Sequence, residues 1–273
     1  MIRFEDFDLY HIDHLLSDEE RMVRDSVHAW VRDRVMPGIE QWAWEGEFPR
    51  HLVGEMAELD LLGASFNEYD LPGLNSVAYG LINQELERGD SGLRSFASVQ
   101  SALVMYPILS WGSQEQKDMW IPKLGKGEAI GCYGLTEPDF GSNPGAMRTR
   151  AKRDGDAWIL NGEKAWITNG SVADVAVVWA RTDDGIRGFL IERGTPGFST
   201  VEHKGKYSLR ASVTSQLVFE DCRVPADSLM PGTTGLKNPL MCLTQARYGI
   251  AWGAIGSAIA TFSAALDLSL IHI

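Results

Sequence analysis

The chain is poor in positive charge. Its 25 lysines and arginines face 37 aspartates and glutamates, which leaves a formal charge of −12 and a pI near 4.9. Without a basic field a protein does not draw polyanions, so a general nucleic-acid or anionic-membrane binder is disfavoured. A local anion site stays open. Cysteine is scarce as well: Cys132, Cys222 and Cys242 are odd in number and form no CxxC pair. That argues against a disulfide frame or a zinc site and for buried free thiols in a reducing compartment. The six histidines form no ligand cluster. GxGxxG and Walker loops are both absent, which removes motif support for a Rossmann or P-loop nucleotide site. Residues 1–16 carry acidic side chains and no apolar core, so no signal peptide is visible. No internal repeat or low-complexity tract occurs.

What is present suits a soluble globular protein: 273 residues, 44% hydrophobic and 23% charged, enough for one large domain or two ordinary ones. The first part reads as helical. Ser17 and Glu20 have capping-box spacing, and Val23, Val27, Trp30, Val31 and Val35 follow at helical period. Pro37 and Gly38 are expected to end or interrupt that helix. Residues 50–62 and 76–88 predict two more helices, with Gly63 stopping the first and residues 70–73 forming a loop between them. From Arg94 no charge occurs until Glu115, so the stretch predicts a buried helix. Arg94 and Ser98 share a face of it. An arginine in apolar surroundings needs an anion. Either Glu85, Glu87 or Asp90 provides it, or it arrives with a ligand. Ser113 and Gln116 repeat the capping-box pattern.

From Ile130 the period changes to strands. Residues 148–153 and 157–160 around Asp154 and Gly155 predict a hairpin, and 164–168, 174–181, 187–192 and 216–224 predict further strands. About eight short strands in an antiparallel sandwich or barrel are expected. Past Pro231 and Gly232 helical character returns. No charge lies between Arg247 and Asp267, and Gly249 and Gly253 are spaced to pack helices. This run is long enough to span a bilayer, which keeps a membrane-associated, non-enzymatic protein as a remote alternative. Tyr248, Ser257, Thr261 and Ser263 dilute its apolarity, and basic anchors are missing. Otherwise such a helix belongs at the centre of a bundle.

The densest cluster of turn formers is YGLTEPDFGS at 133–142, entered from the apolar run 129–135. Pro138 and Pro144 restrict the backbone, and Gly141 and Gly145 let it approach something closely. By composition this is an ordinary inter-strand loop or a ligand loop.

Together with GEKAWITN at 162–169 and the helical, β, helical order, that loop resembles the acyl-CoA dehydrogenase family over residues 15–267. LRSFASVQS at 93–101, KYSLRAS at 206–212 and ARYGIAWG at 246–253 are most similar to its glutaryl-CoA dehydrogenase branch. The resemblance implies an α+β multidomain fold: an N-terminal all-α domain at 1–129, a middle antiparallel β domain at 130–232, and at 233–273 the start of an incomplete C-terminal four-helix bundle. It implies FAD held by Tyr133, Gly134, Leu135, Thr136, Gly141, Ser142, Trp166, Ile167 and Thr168. Trp166 would pack on the flavin ring, and Thr168 would bond near N5. It implies an acyl-CoA substrate held by Arg94, Ser95, Ser98, Ser142, Leu243, Thr244, Gln245, Ala246, Arg247, Tyr248, Gly249 and Ile250. Arg94 and Ser98 would take a distal carboxylate. An acidic residue that many family members carry four positions before Arg247 is replaced by Leu243.

The implied activity is oxidative decarboxylation of glutaryl-CoA to crotonyl-CoA, with an electron-transferring flavoprotein as acceptor and a homotetramer as the full-length assembly. A glutamate would remove the α proton. No residue here matches its motif, so it is expected beyond Ile273 and the 273 residues are expected to be inactive. Residues 269–273 depart from the family's continuation and read as foreign or frame-shifted. No metal is implied. The implied location is a bacterial cytoplasm, or the mitochondrial matrix in a eukaryote. A dehydrogenase or oxidase for another acyl chain is the alternative.

Overall fold

In the computed structural model, residue 8 and residues 10–270 are described, so most of the reading of the tail falls outside the described residues. Ser17 caps α1 (Asp18–Trp30) with the reciprocal bonds its spacing predicts: the Glu20 amide donates to its hydroxyl and its own amide to the Glu20 carboxylate. The expected break at Pro37 and Gly38 does not occur. The chain passes through a π-helical turn, Val31–Val35, into α2 (Met36–Glu45), which ends at left-handed Gly46. Pro37 stands in the first turn of α2, where a missing amide costs little. Then come α3 (Leu52–Glu58) and α4 (Ser76–Gly89), the latter capped by the Asn75 side chain. The charge-free stretch is also helical, with a π turn in its middle: α5 (Ser91–Ser98), capped by Asp90, the π-helical Val99–Met105, and α6 (Tyr106–Trp111). The second capping box starts α7 (Gln114–Gly125).

Seven strands follow among the described residues: β1 (Gly131–Gly134), β2 (Arg150–Asp154), β3 (Ala157–Thr168), β4 (Val175–Thr182), β5 (Gly185–Glu192), β6 (Phe198–Glu202) and β7 (Thr214–Pro225). They make one sheet in the order β1-β4-β2-β3-β7-β6, with β5 on β4. Four pairings are antiparallel as expected. β1 and β4 run parallel, and one parallel bridge joins β2 to β4. The strand predicted at 164–168 is the second half of β3. Register shifts at Leu160/Gly162 and Lys164/Ile167 break the alternation that would have joined the halves by eye. At the first shift Gly162 has φ +139°, and a Cβ there would lie 2.6 Å from Thr149.

One core joins the helical layer to the sheet, from Val35, Met56, Leu86 and Phe96 to Leu160, Val178 and Phe219. A second gathers Val104, Trp120, Tyr133, Trp179 and Cys242. All three cysteines are buried and free. Burial pushes the Cys132 and Cys242 thiols up to about 12 and Cys222 up to about 11.

The last element is α8 (Lys237–Leu270), long and apolar enough to cross a membrane by length and composition. Its small-residue face lies on α4 and α5. Gly249 meets Asn83, Gly253 meets Glu87 and Arg94, and a Cβ at Gly256 would stand 2.0 Å from the Gln84 carbonyl. The predicted glycine pair therefore packs helices within this chain. Ile255, Phe262 and Leu268 are exposed.

Candidate functional site

A cleft of ≈ 300 Å³ opens where the sheet meets the helices. From β1 and the loop after it come Tyr133, Leu135, Thr136, Gly141, Ser142 and Pro144. The end of β3 adds Trp166, Ile167 and Thr168. Val99 and Leu103 come from the π-helical turn, and Leu240, Leu243 and Arg247 from α8. Eight of the nine residues expected at a cofactor thus share one cleft. Gly134 does not line it, and a Cβ there would lie 3.2 Å from the Lys164 side chain. Val99, Leu103, Pro144 and Leu240 had no place in the sequence expectation. The spacing of Val99 and Leu103, four apart in a charge-free run, was the available signal.

The loop and the end of β3 are tied together at several points. The Ala165 amide donates to the Thr136 carbonyl at 2.9 Å. Lys164 is fully buried, and its Nζ donates to the Leu135 carbonyl at 3.1 Å and to Glu137 Oε1 at 2.9 Å. The Glu137 carboxylate also accepts from the Arg148 and Thr149 amides. Burial opposes its charge, but the Arg148 amide and the Lys164 ammonium outweigh that and leave its pKa below the usual value. At Lys164 burial outweighs the Glu137 charge and draws the ammonium down to about 8. Two loop carbonyls and a carboxylate are thereby locked to the strand that carries Trp166. Nothing in the sequence marked Lys164 as buried.

Trp166 sits in the second register shift of β3, with φ 61° and its side chain 66% exposed. A bulky residue held in left-handed backbone is strained, at roughly 1–3 kcal/mol. The Trp166 ring stacks on His203, centroids 4.9 Å apart. Tyr133 is buried and donates its hydroxyl proton to the Pro239 carbonyl at 3.0 Å, which joins β1 to α8. Burial raises its pKa well above the usual phenol value.

Of the residues expected at a substrate, only Ser142, Leu243 and Arg247 line the cleft. Arg94 lies at the α4–α5–α8 junction, 12% exposed, with Nε bonded to Glu87. That is one of the three partners its surroundings predicted. Its two terminal nitrogens have no partner among the described residues. Ser95 is half-buried and Ser98 buried nearby. Gln245 borders a separate water-sized void beside Tyr79. Thr244 donates to Leu240, and Tyr248 to the Ser76 carbonyl. Ala246 is buried, Gly249 rests on Asn83, and Ile250 is exposed.

Arg247 is the one charged side chain lining the cleft among the described residues, and no carboxylate lines it. The hydroxyls of Thr136, Ser142 and Thr168 line it with no hydrogen bond to another described residue. A Cβ at Gly141 would meet nothing within 4 Å. Unengaged hydroxyls around an open cradle, with a flat exposed indole at one side, suit a planar heteroaromatic ring edged by carbonyl oxygens.

Comparison with known proteins gives the family of the chain. Residues 17–128 match the acyl-CoA dehydrogenase N-terminal domain, and residues 132–222 match the acyl-CoA dehydrogenase middle domain. The chain is 38% identical over 259 residues to the short-chain specific acyl-CoA dehydrogenase, mitochondrial, of Rattus norvegicus, which covers 92% of this chain and 63% of that protein. It superposes with TM-score 0.94 and 52% identity on a glutaryl-CoA dehydrogenase from Mycobacterium smegmatis in complex with FADH2, over 95% of this chain and 67% of that one. Butyryl-CoA dehydrogenase from Megasphaera elsdenii follows at TM-score 0.88 and 32% identity, over 92% and 69%. This chain thus spans about 63% of the length of the curated relative. FAD is the cofactor of these enzymes, and the donor set and open cradle of the cleft fit it. By two consecutive domain matches and by its superposition on solved members, this chain belongs to the acyl-CoA dehydrogenase family.

Proposed function

We propose that this protein is an FAD-dependent oxidoreductase acting on the CH–CH bond of an acyl-CoA thioester, with glutaryl-CoA as substrate and oxidative decarboxylation to crotonyl-CoA as the reaction. The observation that carries the flavin reading is the convergence of the loop at 133–142 and the Trp166 to Thr168 corner on one cleft. Thr136 and Thr168 would hold the ring edge, Gly141 and Ser142 would admit its approach, and Trp166 would cover one face. When bound, FAD supplies the two-electron acceptor for the substrate hydride. Hydrogen-bond donors aimed at the ring edge favour the negative charge that reduction places there. Leu243 and Arg247 on α8 would meet the CoA part. No residue of this chain is assigned as the base.

Glutaryl-CoA is supported by Arg94, whose Nε is engaged by Glu87 while its terminal nitrogens stay without partners. A guanidinium fork so placed can grip a carboxylate with two bonds. The solved relative at 52% identity bears the matching name. A short straight acyl chain is the second reading, favoured by the name of the curated relative and by the countercharge that Arg94 already has. As partners we propose an electron-transferring flavoprotein and further copies of the chain in a homotetramer. A bacterial cytoplasm is the proposed location.

The test is direct. The purified chain, loaded with FAD, is titrated with glutaryl-CoA and with butyryl-CoA while the visible flavin band is followed. Arg94→Ala is expected to weaken glutaryl-CoA about 10- to 100-fold, the value of a lost charged hydrogen bond, and butyryl-CoA by less than about threefold. Equal losses would select the short-chain reading, and a chain that takes up no FAD would sink the flavin site.

A further inference from the structure

We infer that His203 is a positioning residue for Trp166, holding the indole edge-on to the strand so that its open face looks into the cleft. The motif that carries Trp166 contains no such group. His203 follows β6, and its amide donates to the Thr214 carbonyl at 2.8 Å. Thr214 in turn is paired with Thr168 of β3. The sheet order β3-β7-β6 therefore sets His203, Thr214 and Thr168 side by side at one end of the sheet. Trp166, two residues before Thr168, spans this row and stacks on the imidazole with an interplanar angle of 29°.

Three observations single out the stack as what this histidine does. First, its Nε2 is buried and has no hydrogen-bond partner among the described residues, so the ring is not placed by a bond at that atom. Secondly, Trp166 is 66% exposed, so apolar packing does not hold it. Thirdly, its φ of 61° lies where backbone preference opposes a bulky residue. An indole that is neither packed nor favoured by its backbone needs a contact to fix its plane, and the imidazole is the ring stacked on it. An aromatic platform fixed before binding spares the ligand the cost of ordering it.

The inference rests on the flavin reading of the cleft only for its second readout, and the two can fail separately. In the 273-residue chain without flavin, acrylamide quenching of Trp166 is obtained as the difference from Trp166→Phe. His203→Ala is expected to raise the quenching constant of Trp166 about twofold, by opening the ring's second face to solvent. With FAD titrated in, His203→Ala is expected to raise the dissociation constant about three- to tenfold, the worth of an aromatic pair. His203→Phe, which keeps a ring and loses the nitrogens, is expected to restore both values. Unchanged quenching in His203→Ala overturns the inference. So does changed quenching with unchanged FAD affinity, or a phenylalanine variant no nearer to the parent than alanine. If the parent chain takes up no FAD, the flavin reading falls, and the quenching comparison among the three variants alone decides the inference.

Discussion

Lys164 and Arg94 are both cations taken largely out of water beside a glutamate, and the fold uses them differently. At the loop–strand junction Lys164 is fully buried. Its ammonium meets a carbonyl and a carboxylate, and that carboxylate is also bonded to two backbone amides. At the helix junction Arg94 keeps 12% exposure and gives one nitrogen to Glu87, while two nitrogens stay without partners. A buried charge satisfied by its own chain fixes geometry, because removing either partner strands the other in a low-dielectric site. A cation with donors to spare leaves room for an anion to bind. The difference lies in hydrogen-bond capacity and not in charge, since each has its glutamate.

This contrast breaks if the two pairs respond alike. The largest effect is expected at the junction. Lys164→Met should cost about 3–5 kcal/mol in urea unfolding by leaving the Glu137 carboxylate buried without a countercharge, and the double variant with Glu137→Gln should recover much of it. A loss below about 1 kcal/mol in the single variant would end the view of this pair as a lock.

The second effect depends on pH. The folded chain releases the Lys164 proton near 8, lowered by burial from 10.5. Between those values the unfolded chain holds more protons, so the contribution of Lys164 to stability rises with pH through that window and is flat below it. Relative to Lys164→Met, the parent chain should gain about 1–3 kcal/mol from pH 8 to pH 10.5. A flat difference would place the proton release elsewhere.

At the helix junction the expected loss is smaller. Arg94→Ala should cost about 1–2 kcal/mol, because Ser91 still donates to Glu87 and some solvent reaches the site. A cost equal to that of Lys164→Met would make Arg94 a second lock and weaken its reading as an anion site. The smallest effect tests the strained corner. Trp166→Gly should be more stable than Trp166→Ala by about 1 kcal/mol, since only glycine adopts φ 61° freely. Equal melting temperatures would remove strain from the account of this corner.

Much of the cleft is legible in the sequence. The loop at 133–142 and the residues 166–168 carry short motifs whose turn formers and small residues fix local backbone. Eight of the nine residues that the family resemblance implies for a cofactor share one cleft. The substrate residues were less legible. Their expected roles came from the family resemblance, most of them lie on α5 and α8, and a helix face is known only once its neighbours are placed. Thus Gly249 rests on Asn83 of α4, and Tyr248 donates to the Ser76 carbonyl. Pro37 misled because its effect depends on whether it falls in the first turn of a helix or inside one.

By itself the sequence determined the caps at Ser17 and Ser113, the helical, β, helical order and the corner motifs of the cleft. Each of these is written in residues a few places apart, through hydrogen bonds and dihedral limits that act locally. Only the tertiary structure decided that Lys164 turns inward to a glutamate 27 residues away, that Glu87 of its three candidates answers Arg94, and that an imidazole from the far side of β7 stands behind Trp166. The first and the third join segments distant in the chain, whereas Glu87 and Arg94 face each other across the junction of two successive helices. No local preference encodes the two distant pairings, and they exist because the sheet order brings their segments together.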